Sequence, residues 1–213
     1  MTIASMRNVL QEAQSQVALA NGFNTGRHYH GLLHTQMVME YVIKLSFKAG
    51  LSTSSRFALV YAAAGHDLEQ GLGSVANEME SAKQMGDIMR RNGIPEAEIE
   101  RVQELIQGTV VTWTDGIMHQ RAENMDHMAK LLADADLCSL GASHDEFVKM
   151  TLRLMAELAK KASLSELTPD EVLAGWKNQV KFMTGRRFLT TEANEMMGWR
   201  FQENLAYAKK MAG

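Results

Sequence analysis

Only two prolines, Pro95 and Pro169, interrupt a chain of 213 residues, and this scarcity constrains the fold more than any other feature. A β-rich chain of this length turns often, and its turns consume Pro and Asn-Gly or Asp-Gly pairs set between alternating β-branched runs. The candidate pairs are Asn21-Gly22, Asn92-Gly93 and Asp115-Gly116, and none reads as lying between two such runs. The stretches between them are long and rich in Ala, Leu, Met, Glu, Gln and Lys, the stronger helix formers. The expected fold is therefore all-α and, with enough chain for one sizeable core, a single domain.

The punctuation divides the chain into helices expected near 5–20, 31–49, 53–68, 75–92, 95–111, 121–140, 143–162, 169–184 and 190–211. Ser52 to Ser55 supply N-cap candidates for the third. Both prolines fall near helix starts, where the missing N–H costs nothing. In the second helix Leu33, Met37, Tyr41 and Leu45 form the expected core stripe. The third, carrying FALVYAAAG, is apolar nearly all round and is expected at the buried centre. Phe147, Met150, Leu154 and Leu158, on the later helix 143–162, are expected to pack on the core that carries the motifs. The 16 methionines recur at helical spacings and read as adaptable core filler.

Composition narrows the function. Apolar residues make up 46 % and charged residues 22 %, with a net charge of −3, so the chain is a globular protein rather than a disordered one. It has no Lys/Arg run, which argues against double-stranded nucleic acid as a partner. The lone Cys138 forbids an intrachain disulfide and suits a reducing compartment. The longest apolar run, Phe57 to Ala64, is far short of the roughly 20 residues that span a bilayer. The N-terminal segment carries no apolar stretch of the signal-sequence kind. No membrane contact and a cytoplasmic location are expected.

Three local features carry chemistry. The first is Arg27-His28-Tyr29-His30-Gly31-Leu32-Leu33-His34, in which His30 and His34 would share a helix face, about 40° apart around the axis. The second is His66-Asp67 at the polar end of the apolar third helix, where burying either group unpartnered costs several kcal/mol. The third is Asp134-Ala135-Asp136-Leu137, which places Asp136 inside an apolar run. Together they supply two imidazoles and two carboxylates from three separate segments. Such mixed N/O ligation suits a divalent first-row ion with positions left open for water and substrate. The remaining histidines, His119, His127 and His144, read as surface residues, and His28 as a structural one.

This ordered set resembles the HD superfamily of metal-dependent phosphohydrolases. The block Tyr29–His34 is similar to the YHNxxH block of class I cyclic nucleotide phosphodiesterases, with Gly31 in the place of Asn, and Ala135–Leu137 is similar to their distal-aspartate motif. Arg27–His30, His66-Asp67, Asn77–Ala82 and Ala133–Leu137, in that order, resemble small bacterial predicted HD phosphohydrolases. The resemblance covers about residues 20–140, with a weaker echo at Asn204-Leu205, and it implies an HD-type helical bundle.

The resemblance further implies His34, His66, Asp67 and Asp136 as ligands of one divalent ion, with Mn, Mg, Fe, Co, Ni and Zn all open. Asp67 would accept a proton from the attacking water or bridge to a second ion. His30 would be the general acid, kept protonated by a carboxylate such as Glu69 or Glu78. Arg27 and Glu78 are expected on the substrate side. The implied substrate is a small phosphorylated molecule, most plausibly a nucleotide. The alternatives are a regulatory HD domain that binds without turnover and, less favoured, an HD-fold di-iron oxygenase.

Overall fold

The computed structural model describes residues 3–23, 26–115 and 117–213. Among them, nine α-helices and one small hairpin make an all-α single-domain fold: α1 Ile3–Phe23, α2 Leu32–Lys48, α3 Thr53–Gly65, α4 Ser74–Arg91, α5 Glu96–Gln107, α6 His127–Asp136, α7 His144–Leu158, α8 Pro169–Met183 and α9 Thr191–Ala212. The chain's strong helix formers set the elements, and recognisable caps set several boundaries. Ser52 accepts from the Ser55 N–H at 3.2 Å. Thr168 and Glu171 form a capping box around Pro169, and Ser143 and Glu146 form another; each pair satisfies two orphaned donors.

α3 is the buried centre. Leu59 and every residue from Tyr61 to Gly65 are buried, and α1, α2, α4, α5 and α6 surround the helix. A Cβ on Gly65 would lie 2.6 Å from Met85 Cγ, so this glycine lets α4 close on the end of α3 directly before the His66-Asp67 pair. Met85, Met89 and Met150 are buried, in keeping with their reading as core filler. α7, α8 and α9 pack together, with α9 lying over the 3-10 turn Cys138–Gly141 that follows α6.

The structure corrects several sequence-based expectations. The segment expected as one helix over 95–111 ends at Gln107, and β1 (Val111–Thr114) pairs antiparallel with β2 (Ile117–Gln120). A short β-hairpin thus spans the Asp115-Gly116 turn, whose Gly116 lies outside the described residues. The helix expected over 121–140 is broken into a 3-10 turn at Arg121–Asn124, α6, and the turn at Cys138–Gly141. Cys138 is therefore buried just beyond the Asp136 helix rather than within it.

On α2 the core face is His34, Val38, Val42 and Leu45, one position round from the expected stripe. Leu33 is 37 % exposed, because the helix turns its histidine inward. Leu158, expected in the core, is 71 % exposed, for the adjacent Glu157 faces inward instead.

Candidate metal centre

Three elements deliver the four candidate ligands to one point. His34 sits in the first turn of α2, His66 is the C-cap of α3 with Asp67 immediately after it, and Asp136 is the last residue of α6. The Nε2 atoms of His34 and His66 are 3.2 Å apart. Asp67 Oδ2 lies 3.3 Å from the first and 3.1 Å from the second. Asp136 Oδ1 lies 3.0 Å and 3.3 Å from the same two atoms. Donors held by bonds of about 2.1 Å at right angles stand about 3.0 Å apart, so all five spacings match the edges of one coordination polyhedron. The tightest mutual cluster is His34, His66 and Asp67; Asp136 Oδ1 reaches both imidazoles from outside that group.

The donor set fits a divalent ion on two further observations. His66 Nδ1–H donates to the Ala63 carbonyl at 2.8 Å, which leaves the Nε2 lone pair facing the cluster; second-sphere bonds of this kind orient ligating histidines. Asp67 Oδ2 is buried without a hydrogen-bond partner in the protein, an arrangement that costs free energy unless a cation completes it.

The cluster's electrostatics point the same way. Burial disfavours charge on His66, yet Asp67 and Asp136 outweigh it and hold the imidazole well above its ordinary pKa. Burial likewise works against the Asp136 carboxylate, but His34 and His66 bring its pKa down to about 2. The buried Asp67 and half-buried Asp136 carboxylates thus favour positive charge between them, which either a proton or a metal ion supplies.

His30 is close but separate. α2 starts only at Leu32, so His30 and His34 do not share a helix as expected; His30 sits on a turn in which the Gly31 N–H donates to the Tyr29 carbonyl at 2.7 Å. The two rings still lie 5.9 Å apart and nearly perpendicular, with Tyr29 stacked on His34 at 4.6 Å. The carboxylate that supports His30 is neither Glu69 nor Glu78. It is Glu157 of α7, whose Oε1 contacts His30 Nδ1. Its Oε2 accepts from the backbone N–H groups of Tyr29 at 2.7 Å and His30 at 3.1 Å. Burial opposes a charged His30, but Asp67 and Glu157 raise its pKa above the ordinary value. Arg153 donates to the His28 carbonyl and His28 Nε2 donates to the Lys161 carbonyl, so the end of α7 clasps the whole turn. Glu157 had a signal in sequence: it is a carboxylate on the stripe of Met150 and Leu154.

The Asn77–Ala82 block builds the wall beside Asp67. Asn77 Oδ1 accepts from the N–H groups of Gly71 and Leu72, and its amide donates to Gln70 Oε1. Gln70 in turn donates to Asp67 Oδ1 at 2.8 Å, and Ser81 Oγ accepts from the Glu69 N–H at 2.9 Å. Glu78, one residue on, faces the open space beside the cluster; burial pushes its carboxyl up to about 7, and its Oε2 has no protein partner. Arg27 lies behind the site, with Nη2 donating to the Leu68 carbonyl at 3.5 Å, and is not part of the cavity wall. Asp134, in the same motif as Asp136, serves the fold: it accepts from the Leu189 and Thr190 N–H groups and the Thr190 hydroxyl at 2.6–2.8 Å. His119, His127 and His144 are exposed, as expected.

The cluster opens onto a cavity of about 810 Å³ whose wall includes His30, Asp67, Asp136, Glu78 and Tyr29. Comparison with protein-family models, with curated proteins and with solved structures finds no significant match to this chain. A buried His34–His66–Asp67 group able to hold a metal ion is the site these residues define, and no helix among the described residues is long and apolar enough to cross a membrane.

Proposed function

We propose that this chain is an HD-type metal-dependent phosphohydrolase that cleaves a phosphoester of a small molecule, with nucleotides the favoured class. The observation that carries the reading is the meeting of two imidazole nitrogens and two carboxylate oxygens at 3.0–3.3 Å on the wall of a cavity large enough for such a substrate. The resemblance of the ordered motif to the HD superfamily supports it.

His34, His66, Asp67 and Asp136 would hold the ion. When bound, a divalent ion lowers the pKa of water toward roughly 7 and neutralises charge on the phosphoryl oxygens. The rest of the chemistry belongs to the protein. Glu157 keeps His30 charged and fixes its ring, so that Nε2 is the group free to give a proton to the departing alkoxide, a contribution of about 10²–10⁴ in rate. Asp67 Oδ2, without a partner in the protein, is placed to accept the proton of the attacking water or to bridge to a second ion. Glu78, also on the cavity wall, offers a second such acceptor. Tyr29, stacked on His34 and bonded through its hydroxyl to Ser139 at 3.1 Å, holds the imidazoles in place and keeps bulk water off them.

The test is direct. Protein purified without chelators is analysed for metals and then assayed on a panel of phosphomonoesters and phosphodiesters. The expected result is bound divalent metal and hydrolysis that EDTA abolishes and Mn²⁺ restores. Protein that neither retains nor takes up metal would overturn the ligand assignment. Metal-loaded, folded protein inactive on every phosphoester would favour a regulatory binding domain.

A further inference from the structure

The two carboxylate oxygens of Asp67 have different surroundings. Oδ2 lies against the imidazole nitrogens and has no hydrogen-bond partner in the protein, whereas Oδ1 accepts from the Gln70 amide at 2.8 Å. Nothing local decides which end of that amide meets the carboxylate. A terminal amide carries an N–H₂ donor on one side and a carbonyl acceptor on the other, in nearly the same shape. A half-turn about its last bond would set the Gln70 oxygen against the Asp67 oxygen.

The orientation is imposed from farther back. The N–H groups of Gly71 and Leu72 converge on Asn77 Oδ1 at 3.1 and 2.8 Å, with Gly71 at φ 132°, a backbone conformation that favours glycine. Backbone N–H groups can only donate, so the Asn77 oxygen faces them and its Nδ2 faces away. Nδ2 in turn donates to Gln70 Oε1 at 3.1 Å, which leaves Gln70 Nε2 for Asp67. Asn77 is only 9 % exposed, so it is shielded from most of the water that would otherwise compete for its amide. Polarity therefore runs one way, from the loop backbone through Asn77 and Gln70 to Asp67 Oδ1.

We infer that Asn77 and Gln70 are positioning residues for the metal centre: they commit Asp67 Oδ1 to a hydrogen bond and so hold Oδ2 as the oxygen offered to the ion. This role rests on Asp67 being a metal ligand, and not on which reaction the site performs. Hydrogen bonds to a ligating carboxylate fix its orientation, and losing an outer-sphere partner of this kind typically costs about 10–100-fold in metal affinity.

Asn77→Asp separates the relay from a merely structural or electrostatic role. The variant keeps an oxygen for the Gly71 and Leu72 N–H groups, but its second oxygen can only accept. Gln70 must then turn its Nε2 toward residue 77 and set its own Oε1 against Asp67. The relay predicts weaker metal binding, whereas an added negative charge beside the site would by itself strengthen it, so the two effects have opposite signs. Mn²⁺ affinity is measured by calorimetry on the full chain, with circular dichroism and the metal-free Tm of each variant as the folding control. Gln70→Leu and Asn77→Asp should each bind Mn²⁺ about tenfold or more weakly than wild type, with native circular dichroism. In the Gln70→Leu background Asn77→Asp should cause no further weakening, because its route to Asp67 is gone. Unchanged or tighter binding in Asn77→Asp, or equal losses in both backgrounds, would overturn the relay. If Asn77→Asp does not fold, Gln70→Leu decides alone, and an affinity within about twofold of wild type overturns the relay. Wild-type protein that takes up no Mn²⁺ would remove Asp67 as a ligand and the relay with it. The expected pattern of Mn²⁺ affinities in a chain without phosphoesterase activity would support the relay and count against the phosphohydrolase reading alone.

Discussion

Glu157 meets His30 across 127 positions of sequence, and with the same carboxylate it accepts from the backbone N–H groups of Tyr29 and His30. One side chain therefore shapes the turn, orients the imidazole and stabilises its charge. Because His30 binds this carboxylate through Nδ1, its other nitrogen is free for the cavity, which assigns the two ring nitrogens different tasks.

That division predicts how His30 and Glu157 variants differ. His30→Ala should keep its metal and its fold and lose about 10²–10⁴ in kcat on an alkyl phosphoester. It should lose far less on p-nitrophenyl phosphate, whose leaving group needs no proton. Glu157→Gln should show the same substrate pattern with a smaller loss, because the amide oxygen can still accept one of the three bonds. Equal losses on both substrates, measured in parallel with metal content, would remove His30 from proton transfer.

Asp67→Ala is expected to abolish metal retention, as read by elemental analysis of protein purified without chelators. Its metal-free form should be less destabilised than loss of a buried ion-pair partner usually implies. The reason is that the like charge of Asp136, across the imidazole pair, offsets part of what the Asp67 carboxylate gains from the imidazoles. A variant that still holds a full equivalent of metal would rule out Asp67 as a ligand.

The pH dependence of stability should change sign with metal. In the metal-free protein Asp67 and Asp136 raise the His66 pKa despite burial. The folded state thus holds a proton that the unfolded chain releases near its ordinary value of about 6.5. That stabilisation is complete below about pH 6.5 and is lost as pH rises toward the folded-state value. Metal, by contrast, requires the neutral imidazole, so its binding improves with rising pH. Thermal melts in EDTA should therefore show a falling Tm above about pH 6.5, while the increment from saturating Mn²⁺ grows over the same range. An increment that shrinks as pH rises would contradict histidine ligation.

Asp134 and Asp136 stand two residues apart and should behave oppositely. Asp134→Ala removes the acceptor for three donors at the start of α9. It should cost about 3 kcal/mol in a urea titration, with metal stoichiometry intact. Asp136→Ala should lose metal instead. Metal loss in Asp134→Ala, under conditions where circular dichroism shows a native fold, would mean that the two carboxylates have been assigned the wrong way round.

The helical class and the buried third helix were legible in the chain itself, because helix propensity and the shortage of turn formers are recorded in a linear pattern. The grouping of His34, His66, Asp67 and Asp136 was implied by the resemblance of their ordered motif to the HD superfamily, and their spacing alone did not carry it. Periodicity alone placed the α2 stripe one residue away from its true face, because it counted the apolar Leu33 and gave no weight to an inward histidine.

What the tertiary structure alone decided is partnership. Glu69 and Glu78 are nearer to the His66-Asp67 pair in sequence than Glu157 is, yet α7 folds back so that Glu157 reaches the turn at His30. Asp134 and Asp136 look equivalent in the Asp134–Leu137 motif, but the end of α6 turns one toward α9 and the other toward the imidazoles. Contacts of this kind are set by how whole elements pack, and the spacing of residues along a single element carries no record of which distant side chain will complete a buried charge.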